Sequence, residues 1–191
     1  KEKGCGEPWR SRVRDIYFTT KPCFEKGFIP VNPRTGNSCI SFCNLTEING
    51  GLCDTEEKFY EACKSASVIG TLQAAYTDMP FLGEDTEELI RWEALIGVSI
   101  TGIMENPEIL LNPEILRKGA EIVRDTNEEI ARIIGINPAA RSTCVKPSGN
   151  ASVLLKTLSG CHVGHAKKFF RIMQMNKESE MAKALENGNP I

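Results

Sequence analysis

The chain has 191 residues, 41% of them hydrophobic and 25% charged, with a formal net charge of −2. That length suffices for one domain with a real core, and the composition is that of a soluble globular protein. No basic run marks a nucleic-acid surface and the longest apolar runs fall far short of a membrane span, so neither nucleic acid nor membrane is expected as a partner.

Residues 1–12 are polar, with Gly4, Gly6 and Pro8, and read as loop. Residues 13–20 contain Ile16, Tyr17 and Phe18 and read as a strand that runs into Lys21-Pro22-Cys23. Residues 26–38 are rich in Gly, Pro and Asn, the composition of a loop or insertion. Residues 39–48 read as a second strand. A long helix starts at Asp54, which with Glu57 resembles a capping box. Phe59, Ala62, Cys63, Ala66, Ile69 and Leu72 recur at helical spacing and predict one buried stripe. Another helix begins near Asp85, with acidic residues where the dipole favours them. Residues 97–103 read as a strand. Asn112 caps a third helix with Pro113 in its first turn, and Gly135 terminates it. Residues 141–145 and 169–173 read as strands. A helix is expected from Ala151, and a last one follows Asn176 and stops at Asn187-Gly188. Alternating strands and helices favour an α/β fold with mostly parallel strands.

Eight cysteines are present: Cys5, Cys23, Cys39, Cys43, Cys53, Cys63, Cys144 and Cys161. With no secretory signal, a reduced, cytoplasmic and partly redox-active protein is the better reading than a disulfide frame. Cys63, on an apolar helix face, and Cys144, in a strand-like run, read as ordinary buried thiols. Cys39-x-x-x-Cys43 is half of a zinc set without a second pair at ligand spacing, and no metal site is expected. Residue 1 is Lys and the chain ends on Asn-Pro-Ile. We expect a piece of a longer polypeptide, or one half of a split one.

Three groups of residues could carry chemistry. Cys23 and Glu25, two apart on an extended segment, point to one face. A carboxylate that close raises a thiol's pKa and disfavours a thiolate nucleophile. It suits a thiol that reacts as neutral S–H or as a sulfur radical, with the carboxylate taking a substrate proton. The plain alternative is a loop cysteine beside a surface glutamate. Cys43, twenty residues after Cys23, supplies a second thiol. Downstream, Lys146-Pro147-Ser148-Gly149-Asn150-Ala151-Ser152 reads as a strand end, a Gly-containing loop and a helix start. Such a loop offers an anion N–H groups, a dipole and hydroxyls. On loop chemistry alone it reads more readily as a connection with Pro and Gly for geometry and Asn as cap, since such loops are common. It is not a P-loop, because the lysine precedes the glycine. His162 and His165 lack a glutamate at zinc-protease spacing, and a turn role is expected for them.

Taken in order, Pro22-Cys23-x-Glu25, Phe42-Cys43-Asn44-Leu45, Gly70-Thr71-Leu72-Gln73-Ala74, residues 97–104, residues 143–149, Ser159-Gly160-x-His162 and residues 170–174 resemble the catalytic subunit of ribonucleotide reductase. The closest resemblance is to its class II, adenosylcobalamin-dependent type. It runs nearly end to end from about Asp15. It implies a single partial domain over residues 1–191, the C-terminal half of a ten-stranded α/β barrel with a central finger loop. It implies that Cys23 is the radical cysteine at the loop tip, which takes the substrate's 3′ hydrogen. Glu25 would accept the 3′-hydroxyl proton while the 2′-hydroxyl leaves as water. Cys43 would be one member of the reducing cysteine pair; in the family the other lies on an early strand that has no match here. Ser148, Gly149, Asn150, Ala151 and Ser152 would hold the phosphates of a ribonucleoside di- or triphosphate. The implied cofactor is adenosylcobalamin. The implied partners are the missing N-terminal half, or a complementary split subunit, and a thioredoxin-like reductant.

The family motif is Asn-Pro-Cys-x-Glu, and here Lys21 stands in the Asn position. A lysine is longer, charged and has no acceptor, and it could pair with Glu25 and weaken it as a base. Asn150 replaces the usual threonine, Val163 the usual proline, and Cys161 stands where an aliphatic residue is usual. Two readings follow: a working reductase portion, or a non-catalytic module of the same fold that keeps the phosphate site. A class I enzyme, whose radical comes from a separate subunit, is a third.

Overall fold

The structure is a computed structural model that describes residues 18–20, 25–146, 148–164, 166, 170 and 176–188. The expected strand at 169–173 lies almost wholly outside the described residues, as do residues 13–17 of the first expected strand.

The centre is a parallel sheet. Strand β3 (Asn44–Asn49) pairs in parallel with β4 (Ile96–Thr101), with Asn44 opposite Ile96 and Asn49 opposite Thr101. Residues 142–144 lie along the other edge of β4. Val98 N–H donates to Ser142 O at 2.9 Å and Cys144 N–H to Val98 O at 3.0 Å. The expected strand at 141–145 is thus a single parallel bridge at Thr143. Two short strands upstream, β1 (Thr19–Thr20) and β2 (Gly27–Phe28), pair antiparallel. Mixed α/β with a parallel sheet was the expected class. Among the described residues the sheet does not close into a barrel.

Helix α1 (Glu56–Ala74) follows β3 and helix α2 (Glu84–Glu93) precedes β4. A single turn, α3 (Pro107–Leu110), precedes α4 (Pro113–Ile134). The caps of α4 are those expected: Asn112 accepts from Glu114 N–H at 3.0 Å, and Gly135 ends the helix at φ +77°. At α1 the cap is Thr55, one residue later than expected. Its hydroxyl accepts from Lys58 N–H at 3.3 Å, while Asp54 pairs with the Lys58 ammonium at 2.6 Å.

The buried stripe of α1 also departs from the expectation. Phe59, Cys63 and Ala66 are buried, but Ile69 and Leu72 are about half exposed, at 53% and 48%. The second half of the helix instead buries Ser67, Gly70, Thr71 and Ala74. Small residues are needed there because the helix lies close against the sheet. A Cβ at Gly70 would sit 3.3 Å from Ile96 Cβ. The hydroxyls are used: Ser67 donates to Val123 O at 2.7 Å and Thr71 to Ser67 O at 2.7 Å. Asn127 of α4 donates to Thr71 Oγ1 at 2.8 Å and accepts from Ala139 N–H at 2.8 Å. This closed network ties α1, α4 and the chain entering residues 142–144. The apolar core around it joins Ile48, Ile96 and Val98 of the sheet to Phe59, Cys63, Leu110, Ile115 and Val123. Burial pushes the Cys63 thiol up to about 12, so it is an inert packing group, as expected of it.

Residues 29–40 form a loop pinned to α2. Asn32, fully buried, donates to Asp85 and Glu88, each at 2.8 Å. Arg34 makes a two-pronged pair with Glu88, at 2.8 and 2.7 Å. Thr35 and Asn37 add bonds to Asp85 at 2.6 and 2.8 Å. Helix α5 (Ala151–Leu154) is one turn, and α6 (Glu180–Gly188) ends the described chain.

Candidate functional site

Side chains alternate along a strand, so the sheet has two chemically different faces. Thr46, Ile48, Ile96 and Val98 turn to the helices. Cys43, Leu45, Glu47, Gly97, Ser99, Thr101, Cys144 and Lys146 belong to the other face. Reading across the three parallel segments, this face falls into rows. By register Leu45, Gly97 and Ser142 make one; Glu47, Ser99 and Cys144 the next; Asn49 and Thr101 a third, and the side chains of Cys43 and Cys144 lean over the first row from either end.

The first row carries sulfur. Gly97 has no side chain, and the thiols of Cys43 and Cys144 fill its place. A Cβ there would lie 2.8 Å from Cys43 Sγ and 3.1 Å from Cys144 Sγ, and 2.5 Å from Leu45 Cδ2. The two sulfurs are therefore no more than about 6 Å apart. Both cysteines are half-buried, and neither is in a disulfide. Cys144 was expected to be an ordinary buried thiol. Its partial exposure and the approach of its sulfur to the Gly97 position beside Cys43 correct that expectation; Cys144 also lines the cavity toward the helices.

The second row is charged. Lys146 Nζ pairs with Glu47 Oε2 at 2.7 Å, and Lys146 N–H donates to Ser99 Oγ at 3.0 Å. The Glu47 side chain is 8% exposed, and its Oε1 has no hydrogen-bond partner. The third row ties down the chain beyond the strand ends. Asn49 donates to Leu155 O at 2.8 Å, Thr101 Oγ1 donates to Leu158 O at 3.0 Å, and Gly160 N–H donates to Thr101 Oγ1 at 2.8 Å. Glu105 accepts from Thr157 Oγ1 and Leu158 N–H at 2.7 and 2.6 Å.

These bonds place residues 155–160 at the carboxyl ends of the parallel strands, where open α/β sheets take their ligands. Just before that segment Ser148 and Ser152 are buried, and Ser152 N–H donates to Ser148 Oγ at 3.0 Å. Ser148 Oγ thus takes an N–H of the α5 turn, whose N-cap position is Asn150. Gly149, at φ +54°, and Asn150 are exposed, and Ala151 is half-buried. The expected helix from Ala151 is one turn, so its dipole is small and the loop's N–H groups are its main offer to an anion.

Glu25 is half-buried at the start of the described segment before β2. The adjacent Lys26 is buried, and its ammonium donates to Thr143 O at 3.0 Å. Ser142 O and Cys144 N–H are used by Val98, so Thr143 O faces the far edge of its segment. Lys26 therefore laces the Glu25 segment to the edge next to Cys144. Cys23 and Lys21 lie outside the described residues. His162 is exposed, and His165 lies outside the described residues.

Sequence reasoning missed Glu47, Ser99, Cys144 and Lys146. Cys144 and Lys146, two apart in an extended run, carried the only signal, a shared face. On the opposite, helix-packed face the structure holds a cavity of about 270 Å³ lined by Ile48, Phe59, Val98 and Val123 among others. It is smaller than the ~300–1,000 Å³ of ordinary small-molecule sites. A corrin ring does not fit a volume of that size. Among the described residues no three His, Cys, Asp or Glu side chains gather as a metal set. No described helix is long and apolar enough to cross a membrane.

Fold and site together define a mixed α/β protein with a parallel sheet whose polar face gathers thiols and a charge pair. Among solved structures, the chain is similar to the crystal structure of a B12-dependent (class II) ribonucleotide reductase, with 21% identity and a TM-score of 0.51. The match covers 63% of this chain and 20% of that one, so the shared part is about a fifth of that protein. At this identity the likeness shows a ribonucleotide-reductase-like fold and nothing of the activity. No protein-family model and no curated protein matches the sequence.

Proposed function

We propose that this chain is a catalytic portion of a ribonucleotide reductase, acting with the remainder of such a catalytic subunit. The observation that carries this reading is the meeting of the Cys43 and Cys144 thiols over Gly97 of a parallel sheet, with the Glu25–Lys26 segment laced to the edge next to Cys144. The reductase-like fold supports it, as does the order of the motifs along the chain.

In this reading the phosphates of a ribonucleoside di- or triphosphate lie on Ser148, Gly149, Asn150, Ala151 and Ser152. The ribose then hangs toward the thiol row. Cys23, as a sulfur radical, takes the 3′ hydrogen atom and returns it at the end. Glu25 accepts the 3′-hydroxyl proton. The 2′-hydroxyl leaves as water, and a dithiol that includes Cys43 supplies two electrons and two protons. The balance is one ribonucleotide and two thiols giving one deoxyribonucleotide, one water and one disulfide. Lys21, two residues before Cys23 in the sequence, would set the charge near Glu25. A thioredoxin-like reductant would reopen the disulfide. Adenosylcobalamin is the radical source the class implies. It would be held by parts of a reductase outside the described residues, and no step here runs through it.

The test is Cys23→Ala in the full-length protein. Deoxynucleotide formation should be abolished while nucleotide binding survives. Turnover that persists in this variant sinks the radical assignment, and a wild-type protein that binds nucleotides without reducing them favours the non-catalytic module.

A further inference from the structure

We propose that Glu47 and Lys146 are positioning residues, a buried ion pair that fixes how far residues 142–146 run along β4 and so the point from which the Ser148–Ser152 turn starts. As a device that places a nucleotide-binding turn, the pair rests on the reading above; as a lock on strand register, it stands on geometry alone. Neither side chain has a part in the reaction written for Cys23, Glu25 and Cys43.

The edge segment needs such a lock. Among the described residues one parallel bridge, Val98 with Thr143, holds it to β4, and a strand held by so little is prone to slip in register. A slip of two residues would keep the same side chains on the same faces and carry the turn along by about 6.6 Å. Lys26 grips Thr143 O from the outer edge, but a carbonyl recurs there at every second residue, so this bond does not choose a register. A ladder that continued past the bridge would send Lys146 N–H to Ile100 O. It goes to Ser99 Oγ instead, at 3.0 Å. From the same residue, Nζ reaches Glu47 Oε2 on β3 at 2.7 Å. Lys146 is therefore tied to both ladder strands at once, and its side chain runs across β4 toward the level where Glu47 pairs with Ser99. Both members are largely enclosed, with side chains 18% and 8% exposed.

The choice of a charged pair points the same way. A buried ion pair is weak evidence for stability, since desolvation offsets most of the attraction, and the best-attested use of such groups is to set register. Here the carboxylate is half used: Glu47 Oε1 is buried without a hydrogen-bond partner. Packing alone would be served as well by two apolar side chains of similar volume. An apolar pair can slide, whereas an ammonium two residues out of step would leave the buried Glu47 carboxylate with no partner at all.

The experiment uses the full-length protein and compares wild type, Lys146→Met and the double variant Glu47→Gln with Lys146→Met, which removes both charges and keeps the volumes. Lys146→Met strands a buried carboxylate and should lower stability; the double variant should recover it on chemical denaturation. A pair that only stabilised the fold would then leave all else at the wild-type value. The register lock predicts otherwise. Amide exchange in residues 148–154 of the double variant should run about tenfold faster than in wild type, with exchange in α4 unchanged. Kd for a ribonucleoside diphosphate, read by calorimetry, should weaken on the order of tenfold. In turnover, KM should rise with kcat held, the mark of lost uniform binding. If the turn exchanges faster in the double variant and the wild-type protein binds no nucleotide, the lock holds and the phosphate reading falls. Wild-type exchange at residues 148–154 in the double variant overturns the lock whatever becomes of that reading. An unchanged Kd in a double variant whose turn does exchange faster overturns the pair's role in placing the ligand.

Discussion

The two faces of the parallel sheet are built from the same strands and obey opposite rules. Toward the helices, Ile48, Ile96 and Val98 meet Phe59, Cys63 and Val123, and the polar groups admitted there form a closed chain from Ser67 through Thr71 and Asn127 to Ala139. On the other face, Glu47 keeps a buried carboxylate oxygen without a partner and two thiols share the space over one glycine. A buried unsatisfied acceptor costs roughly 1–3 kcal/mol. A face selected for stability alone would have filled both positions. The comparison teaches that the helix side holds the fold while the other side accepts cost for chemistry.

The sharpest way to break that division is Phe59→Ala. Phe59 is 2% exposed, packed between α1 and α4. Emptying its site should destabilise the protein by about 3–5 kcal/mol, read by chemical denaturation. The reactivity of Cys43 toward a thiol reagent should not change under conditions where the protein stays folded. A shift in that reactivity as large as the stability loss would show that the two faces are not separable.

Gly97→Ala probes the other side with a smaller effect. The added methyl would overlap Leu45 and both sulfurs, and overpacking of this kind costs about 1–3 kcal/mol. The distinctive outcome lies in the thiols. Cys43 and Cys144 should be displaced, so that their rates of reaction with a maleimide change while that of Cys161 does not. Unchanged rates at both would mean that Gly97 is not what positions the sulfurs.

What was legible in the sequence follows the same division. Helix α4 could be read whole, because Asn112, Pro113 and Gly135 act locally and its ends do not depend on tertiary contacts. The start of α1 was read one residue early. Asp54 and Thr55 are both good caps, and only the ion pair of Asp54 with Lys58 decides between them. The misplacement of Ile69 and Leu72 has a deeper cause. The buried face there is Ser67, Gly70, Thr71 and Ala74, and small or hydroxyl residues give no hydropathy signal. On the sheet, Cys43 and the Ser148–Ser152 turn could be found from motifs. Cys144, Glu47 and Lys146 could not, since their meeting depends on the register of three strands distant in sequence.

The polar face also depends on how the chain between Glu25 and Cys43 is anchored, and acid is the mildest way to loosen it. That stretch is fixed to α2 by Asn32 and Arg34 on Glu88 and by Thr35 and Asn37 on Asp85. The two-pronged bond from Arg34, with help from Asn32, holds the Glu88 carboxyl down at about 2. Hydrogen bonds from Thr35 and Asn37 hold Asp85 below the usual carboxylate range. A carboxyl whose folded pKa is depressed contributes stability that is complete above its unfolded pKa, about 4.3 for Glu. That contribution fades as pH falls through the folded value. The loop should therefore stay docked at neutral pH and loosen between about pH 4 and pH 2. Amide exchange in residues 31–38 should speed up across that window while exchange in α4 does not. Glu88→Gln should make the loop's exchange faster at neutral pH and flatten its dependence on acid. Arg34 lies at the exposed end of this clamp, 70% accessible, so the energy involved is small, and the readout must be local. A loop in Glu88→Gln that still loosens with the wild-type midpoint would shift the anchoring to Asp85 alone.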